Sequence, residues 1–183
     1  CSATRYTGGA QGRILQGGGA NWLHGHWAGM AGVAYYWGNN TAETNHVTPN
    51  TNWVVMCGSS AGAELKLVNG ADVGTVTGGD GGVSLWINGG WCDTNSNSNS
   101  QDRCHSDFAV AEVIVWPRGL TAEETYAVST YLMGSVLGVT PPATPPSLPP
   151  PPPTPPSSPP SPPHSPAVLP AGASAWFRQG RFD

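Results

Sequence analysis

The chain has 183 residues, a formal net charge of −4 at pH 7 and a charged fraction of only 10%, where globular domains average about 25%. Its seven lysines and arginines are scattered singly, so the sequence offers no basic patch for nucleic acid or an anionic membrane surface. No run of about 18 apolar residues occurs, and we expect no membrane insertion. The chain begins at Cys1 without a Met, which favours a processed or truncated product.

The proline content differs sharply between two parts of the chain. Of the 19 prolines, 17 lie between Pro141 and Pro170. Residues 1–138 hold seven of the eight tryptophans and all four cysteines, enough for one core of ordinary size. The sequence therefore predicts a folded domain over 1–138, a Pro/Ser/Thr-rich segment over 139–170 and a short closing segment over 171–183.

Short apolar runs alternate with glycine-rich polar turns along the folded domain, which is typical of an all-β fold. We predict strands at GRILQ (12–16), GVAYYWG (32–38), NWVVMCG (52–58), AELKLVNG (63–70), GVSLWING (82–89) and DFAVAEVIVWP (107–117).

Two of these runs differ in how they face solvent. In AELKLVNG, Leu65 and Leu67 alternate with Glu64 and Lys66, so one face should meet water. In DFAVAEVIVWP both faces are apolar, and we expect a strand buried between layers. Its predicted faces are Phe108, Val110, Ile114 and Trp116 on one side and Ala109, Ala111, Val113 and Val115 on the other. Two packed sheets satisfy both patterns.

A helix is predicted after the last run. Thr121 and Glu124 have the spacing of a capping box. An apolar stripe should cover one edge of the sandwich, and Gly138 should end the helix; the stripe consists of Val128, Tyr131, Leu132 and Val136.

The ordered spacing of these motifs resembles a known family. SDFAVAEVIVWPRGLTAEETYAVSTYLMGSVLG (106–138) looks like the closing strand and helix of laminin-G-like, concanavalin A-like jelly rolls, and GRILQ with NWLHGHWAGMAGVAYYWG resembles their middle strands. The resemblance implies a jelly-roll sandwich of two antiparallel sheets with one short C-terminal helix. The proline tract resembles the hydroxyproline-rich segments of green-algal cell-wall and flagellar-surface glycoproteins.

The end of the chain departs from that family. Such domains open with a segment of the type Trp-Phe then Phe-Asp, which occurs here only in AWFRQGRFD (175–183). The opening strand of the fold thus stands last. Either the tail begins a second domain or it completes a neighbouring jelly roll, with a frayed terminus as the bland alternative. We predict an assembly role for Trp176, Phe177 and Phe182.

Four cysteines and one Asn-x-Thr acceptor at Asn39 favour an extracellular setting. Cys92 and Cys104 bracket a hydrophilic loop, so we pair them, and Cys1 with Cys57 follows by elimination. Buried free thiols are the alternative.

No catalytic constellation stands out. The paired carboxylates that glycosidases of this fold group place on one strand are missing, and we expect no enzymatic activity. His24 and His26 lie two residues apart, as a metal site on a strand requires, but a hydrogen-bonded structural pair explains them better. No cofactor is predicted; Ca²⁺ is considered only because TGGDGG (77–82) and the loop from Asp93 to Asp102 carry oxygen ligands.

A lectin-like alternative rests on aromatic and amide side chains. Sugar sites combine aromatic platforms with polar groups for hydroxyls. The candidates are Trp22, Trp91, Tyr35, Tyr36 and Trp37 with Asn21, Asn39, Asn40, Asn88 and Asp93. Core packing is preferred for Trp53, Trp86 and Trp116, which lie inside predicted strands.

The proline tract should form polyproline II or extended coil, because proline fixes φ and disfavours helix before it. The family resemblance implies proline hydroxylation and O-glycosylation at Pro149, Pro150, Pro151, Pro152, Pro153, Thr154, Pro155, Pro156, Ser157, Ser158, Pro159, Pro160, Ser161, Pro162 and Pro163. We therefore expect an extracellular structural glycoprotein that assembles head to tail through its own tail. Covalent glycans and other wall or surface glycoproteins are its further expected partners.

Overall fold

The structure, a computed structural model, describes residues 1–36, 40–59, 65–74, 84–90 and 104–139, and the backbone of Ser174–Arg178. Its strands are β1 (Ser2–Gln11), β2 (Leu15–Gly17), β3 (Trp22–Trp27), β4 (Met30–Tyr36), β5 (Val54–Gly58), β6 (Lys66–Val68), β7 (Ala71–Asp72), β8 (Leu85–Ile87), β9 (Ser106–Val115) and β10 (Ser174–Arg178). Helix α1 spans Ala122–Tyr131 and continues as a π-helical turn over Leu132–Val136.

The strands form two antiparallel sheets. The large sheet has the order β10-β9-β1-β5-β6-β7, and the small sheet has the order β4-β3-β2-β8. Within the described residues, α1 with its π-helical extension is the helical element, and none of the helices there is long and apolar enough to cross a membrane. The predicted mostly-β architecture, with two antiparallel sheets and one short helix, is confirmed and is consistent with a β-sandwich.

Apolar side chains of both sheets meet in the interior. One buried cluster joins the small sheet to β5 and β6 through Ala34, Tyr36, Val54, Met56 and Val68. A second lies towards β9 and contains Tyr6, Ile14, Leu15, Val110 and Val113. Burying apolar side chains between two facing sheets is the main stabilising term of such a fold.

The prediction that one face of β6 meets water is wrong. Lys66 is fully buried, and its Nζ lies 5.8 Å from the centre of the Tyr36 ring. The reason is that β6 has layers on both sides. Leu67 packs in the cluster beneath the helix, whereas Lys66 and Val68 face the small sheet.

Helix α1 lies on the outer face of the large sheet. The sequence predicts a position along an edge of the sandwich, and that prediction is wrong. Its apolar stripe is confirmed: Val128 and Leu132 are buried, with Tyr131 and Val136 partly buried around them. They pack on outward side chains of the sheet, including Ala3, Val55, Cys57 and Leu67. If the helix lay along an edge, these outward apolar side chains of the large sheet would be exposed to solvent.

The ends of the helix agree with the sequence. Thr121 Oγ1 accepts from the backbone N–H of Glu124, and the Glu124 carboxylate accepts from the backbone N–H of Thr121, which completes the capping box. Gly138 follows the π-helical turn with φ +66°, a conformation that glycine adopts without strain. The Arg118 guanidinium, bonded to Glu124 at 2.7 Å, lowers the pKa of that carboxyl to about 2.

The first strand, β1, was not predicted, although it lies at the centre of the large sheet between β9 and β5. Its sequence is rich in Thr and Gly, but Ser2, Ala3 and Thr4 are fully buried. The predicted Cys1–Cys57 disulfide is confirmed and ties the start of β1 to β5. The predicted partner of Cys104, Cys92, lies outside the described residues.

Candidate functional site

Strand β3 presents two different faces, and each carries a candidate site. His24 and His26 point into the sandwich, whereas Leu23 and Trp27 lie on the outer face of the small sheet. This follows from the alternation of side chains along a strand. The inner face proves structural, and the outer face forms a cleft.

His24 is held by two hydrogen bonds. Its Nε2 donates to the Met56 carbonyl oxygen at 3.1 Å, so its Nδ1 accepts from the Tyr36 hydroxyl at 2.6 Å. The His24 and Tyr36 rings stack with Trp22. Burial lowers the pKa of His24 to about 3 and raises that of Tyr36, so the imidazole is neutral at pH 7.

His26 is fully buried beside β1. Its Nδ1 lies 3.3 Å from Thr4 Oγ1, and its ring meets the Tyr6 ring edge-on at 4.6 Å. Burial lowers its pKa to about 3. The two histidines therefore have separate partners, as hydrogen-bonded core residues do. In the described ranges no three His, Cys, Asp or Glu side chains cluster as metal ligands.

The outer face of β3 and β4 carries a cleft of about 210 Å³, which we call the outer cleft. Its floor is formed by strand residues, and the segment 40–43 forms one wall. The residues that line it are Arg13, Asn21, Leu23, Trp27, Val33, Ala34, Tyr35, Asn40, Thr41, Ala42 and Glu43. Apolar floor, aromatic flanks and a few polar groups are the usual composition of a small-molecule site.

The walls of the outer cleft are held by backbone pairing. Asn40 bridges to Tyr35 of β4, and the Thr41 backbone N–H donates to the Ala34 carbonyl oxygen at 3.0 Å. Thr41 Oγ1 in turn accepts from the Ala34 backbone N–H at 3.0 Å. The wall is thus fixed to β4 at two successive residues of the wall.

Arg13 and Asn21 form a charged, hydrogen-bonded pair among the residues that line the cleft. Arg13 is buried, and its Nη2 donates to Asn21 Oδ1 at 2.7 Å. Burial lowers the pKa of Arg13 to about 10, so it keeps its positive charge at neutral pH. The exposed carboxylate of Glu43 lies on the same cleft and provides the opposite charge.

The sugar-binding candidates separate into three groups. Asn21, Tyr35 and Asn40 come together in the outer cleft. Trp22 and Tyr36 pack on the inner side, and Asn88 accepts through Oδ1 from the Ser106 backbone N–H at 2.6 Å. The remaining candidates, Trp37, Asn39, Trp91 and Asp93, lie outside the described residues.

Sequence reasoning missed Arg13, Trp27 and Glu43 as members of this site. Trp27 was detectable, because it shares an alternating face with Leu23 on a strand that also carries the histidine pair. Arg13 and Glu43 gave no such signal, since they reach the cleft from other parts of the chain. Of the predicted strand tryptophans, Trp86 is 51% exposed and so is not core.

A second candidate site is the edge of the large sheet. Strand β10 pairs antiparallel with β9 of the same chain, with Ser174 opposite Val115, Ala175 opposite Ile114 and Arg178 opposite Glu112. An irregularity occurs between Ala175 and Phe177. The backbone of the predicted assembly residues Trp176 and Phe177 therefore belongs to strand β10. The third predicted assembly residue, Phe182, lies outside the described residues.

The other predicted sites also fall outside the described residues. They are the glycosylation and hydroxylation sites Pro149–Pro163 and the two segments considered for Ca²⁺, at 77–82 and 93–102. No protein-family model, curated protein or solved structure matches this chain.

Proposed function

We propose that this chain is an extracellular structural glycoprotein, a bead-and-rod unit of a filament, cell-wall layer or surface appendage. Residues 1–138 form the bead, a jelly roll of the concanavalin A-like type. Residues 139–170 form a glycosylated polyproline II rod. Residues 171–183 supply a strand that joins the next bead, so that units assemble head to tail.

The observation that carries this proposal is the pairing of β10 with β9. A segment separated from the folded domain by the whole proline tract has the register and direction to extend the large sheet. Adding a strand to an exposed edge is a common mode of protein recognition, because it satisfies a row of unpaired backbone groups. Each unit thus carries one donor strand and one acceptor edge.

The rod argues for pairing between units. In the structure the donor strand lies on its own bead, and residues 140–173 separate the two. As polyproline II at about 3.1 Å per residue, that segment would extend on the order of 100 Å. A stiff spacer of that length has a low effective concentration for its own edge, which favours the edge of a neighbour. A head-to-tail contact propagates as a fibre when the rotation between successive units does not close into a ring.

One structural feature and two sequence features support the extracellular and glycosylated part of the proposal. The Cys1–Cys57 disulfide fits an oxidising compartment. Asn39 has the Asn-x-Thr acceptor pattern. The Pro/Ser/Thr tract has the composition of a semi-rigid spacer.

Cross-linking across the β9–β10 ladder tests the assembly. Ser174 and Val115 face each other, so a mixture of S174C chains and V115C chains should form disulfide-linked dimers under mild oxidation. The matched control mixes S174C with T130C, since Thr130 is exposed on the helix, and should form none. If the double variant S174C/V115C closes fully within single chains while the mixture stays monomeric, the head-to-tail proposal fails.

A second test addresses the polymer itself. Proline at Ala175 and Phe177 should break the strand, because proline cannot donate to a ladder, and polymers of the glycosylated chain should be lost in light scattering. The control places the two prolines at Ser165 and Ala167, outside β10, and should polymerise normally. Equal polymerisation of both variants would count against β10 as the connector.

A further inference from the structure

We propose that the outer cleft binds a neutral saccharide, as a site distinct from the edge at which units assemble. The proposal does not depend on assembly, since none of the described residues that line the cleft belongs to the acceptor strand β9. It rests on the chemistry of the lining side chains and on the rigidity of the walls.

Two aromatic side chains flank the cleft. Trp27 stands at the end of β3, and Tyr35 pairs with Leu23 at the other end of that strand. Four residues of strand span roughly 13 Å, which is the scale of a disaccharide. Both rings are half-buried, so each keeps surface on which the C–H face of a sugar ring can pack.

Polar groups that line the cleft, including those of the two aromatics, match sugar hydroxyls. In the part of the chain that the structure describes, the Asn40 amide, the Glu43 carboxylate, the Trp27 indole N–H and the Tyr35 hydroxyl make no hydrogen bond within the protein. They supply both donors and acceptors. A hydroxylated ligand can pair with all of these groups, whereas an apolar ligand would leave them buried and unsatisfied.

The charge balance of the cleft favours a neutral ligand. The Arg13 guanidinium is already bonded to Asn21 and is largely shielded from solvent. Glu43 is the exposed charge, and it would repel an anion. A carboxylate can instead accept two hydrogen bonds from vicinal hydroxyls, which are stronger than neutral bonds.

The cleft is small and preformed. Its volume of about 210 Å³ is below the roughly 300–1,000 Å³ of pockets for drug-sized ligands, so it suits one sugar ring or a short oligosaccharide end. Because the wall at 40–43 is bonded to β4, little ordering accompanies binding.

The saccharide could come from solution or from the chain itself. Asn39 directly precedes Asn40, which lines the cleft, and an N-linked glycan there would begin next to the site. Glycans on the rod of a neighbouring unit are the other internal source. These sources share one chemistry and are separated by the experiment.

The experiment uses the full chain produced in an oxidising host that does not glycosylate it. The probes are the methyl glycosides of galactose, glucose, mannose and arabinose, measured by saturation-transfer NMR and calorimetry. We expect at least one to bind in the millimolar range. Glu43→Gln and Tyr35→Ala should each weaken that binding about tenfold or more, and Tyr35→Phe should weaken it less.

Matched control variants remove the same kinds of side chain, a carboxylate and an aromatic ring, at positions away from the cleft. Glu123→Gln removes an exposed carboxylate on the helix, and Trp86→Ala removes an exposed aromatic of β8; both should bind as the unmodified chain does. Thermal unfolding of Glu43→Gln should match that of the parent, so lost binding is separable from lost folding.

The outcomes are distinct. Binding to the unglycosylated chain that disappears in the glycosylated chain identifies an internal glycan as the occupant: the Asn39 glycan if Asn39→Gln restores the binding, and a rod glycan if it does not. Binding that is equal in both chains points to a soluble saccharide. If no glycoside binds the unglycosylated chain, or if the cleft variants bind as well as their controls, the proposal is overturned. The cross-linking test of assembly is independent of the result of this binding experiment.

Discussion

The core of this protein contains several buried polar side chains. His24, His26 and Lys66 lie between the sheets, where a sandwich usually has aliphatic residues. His24 bonds to Tyr36 and Met56, and Lys66 lies over the Tyr36 ring. His26 contacts Thr4 through Nδ1, whereas its Nε2 has no hydrogen-bond partner among the described residues. Such contacts offset the cost of desolvation only while the imidazoles stay neutral.

This arrangement predicts acid sensitivity. A histidine titrates near pH 6.5 in the unfolded chain, but the pKa values of His24 and His26 are about 3 in the folded protein. The unfolded state therefore binds more protons between these values, and stability falls as pH drops from about 6.5 towards 3. We expect each histidine to lower the free energy of unfolding by about 2 kcal/mol between pH 7 and pH 5, measured by urea denaturation.

Substitution of one histidine checks the origin of that loss. His26→Phe keeps an aromatic ring against Tyr6 but cannot be protonated, so the pH-dependent loss of stability should be about half that of the parent. His105→Phe is the control, because His105 is exposed, and the full loss should remain. An unchanged pH dependence in His26→Phe would show that other groups dominate.

At the scale of single elements, the helix offers the clearest prediction. The Thr121 hydroxyl caps the first turn, and removing such a cap typically costs about 1 kcal/mol. Thr121→Ala should therefore lower the free energy of unfolding by about that amount. Thr130→Ala, at an exposed position near the end of the same helix, should be neutral or slightly stabilising because alanine has the higher helix propensity. Chemical denaturation of both variants measures the difference.

Sequence patterns predicted the helix well but predicted the faces of strand β9 only in part. The helix and its apolar stripe were predictable because capping and periodicity are local signals. The faces of β9 were predicted correctly as far as Ala111, which packs on the helix side, opposite Val110. Beyond it, Val113 joins Val110 in one cluster while Ile114 packs under the helix, the reverse of the prediction. The pairing of β1 with β9 shifts register between Ala3 and Thr4, and a bulge of this kind exchanges the faces of every later residue.

The outer cleft was predictable only in part for a similar reason. Tyr35, Asn21 and Asn40 lie near each other in sequence as well as in space, so their amide and aromatic chemistry was visible. Arg13 and Glu43 line the same cleft only because β2, β3 and β4 pair in order and the 40–43 segment folds back on β4. Lys66 led to a wrong prediction of a solvent-exposed strand face. A charged residue in an alternating pattern gives no sign that both faces of its strand are covered by other layers.

The proposed unit separates two tasks. In this proposal the bead provides an acceptor edge at β9, and the length of the proline tract sets how far away the donor strand is presented. A polyproline II segment changes length in proportion to its residues, since it has no internal hydrogen bonds that could rearrange. The spacing of beads should thus be set by the rod alone and not by the sandwich.

Shortening the rod tests that relation. Deleting residues 149–163 removes half of the tract and leaves β9 and β10 intact, so polymers should still form, with the distance between beads reduced by roughly 45 Å. Negative-stain electron microscopy of the glycosylated chain measures the spacing. A control that replaces 149–163 with a Gly/Ser segment of equal length should give a shorter and far more variable spacing, because such linkers are flexible coils. Beads whose spacing ignores both changes would mean that the tract is not a rod and that contacts between sandwiches set the repeat.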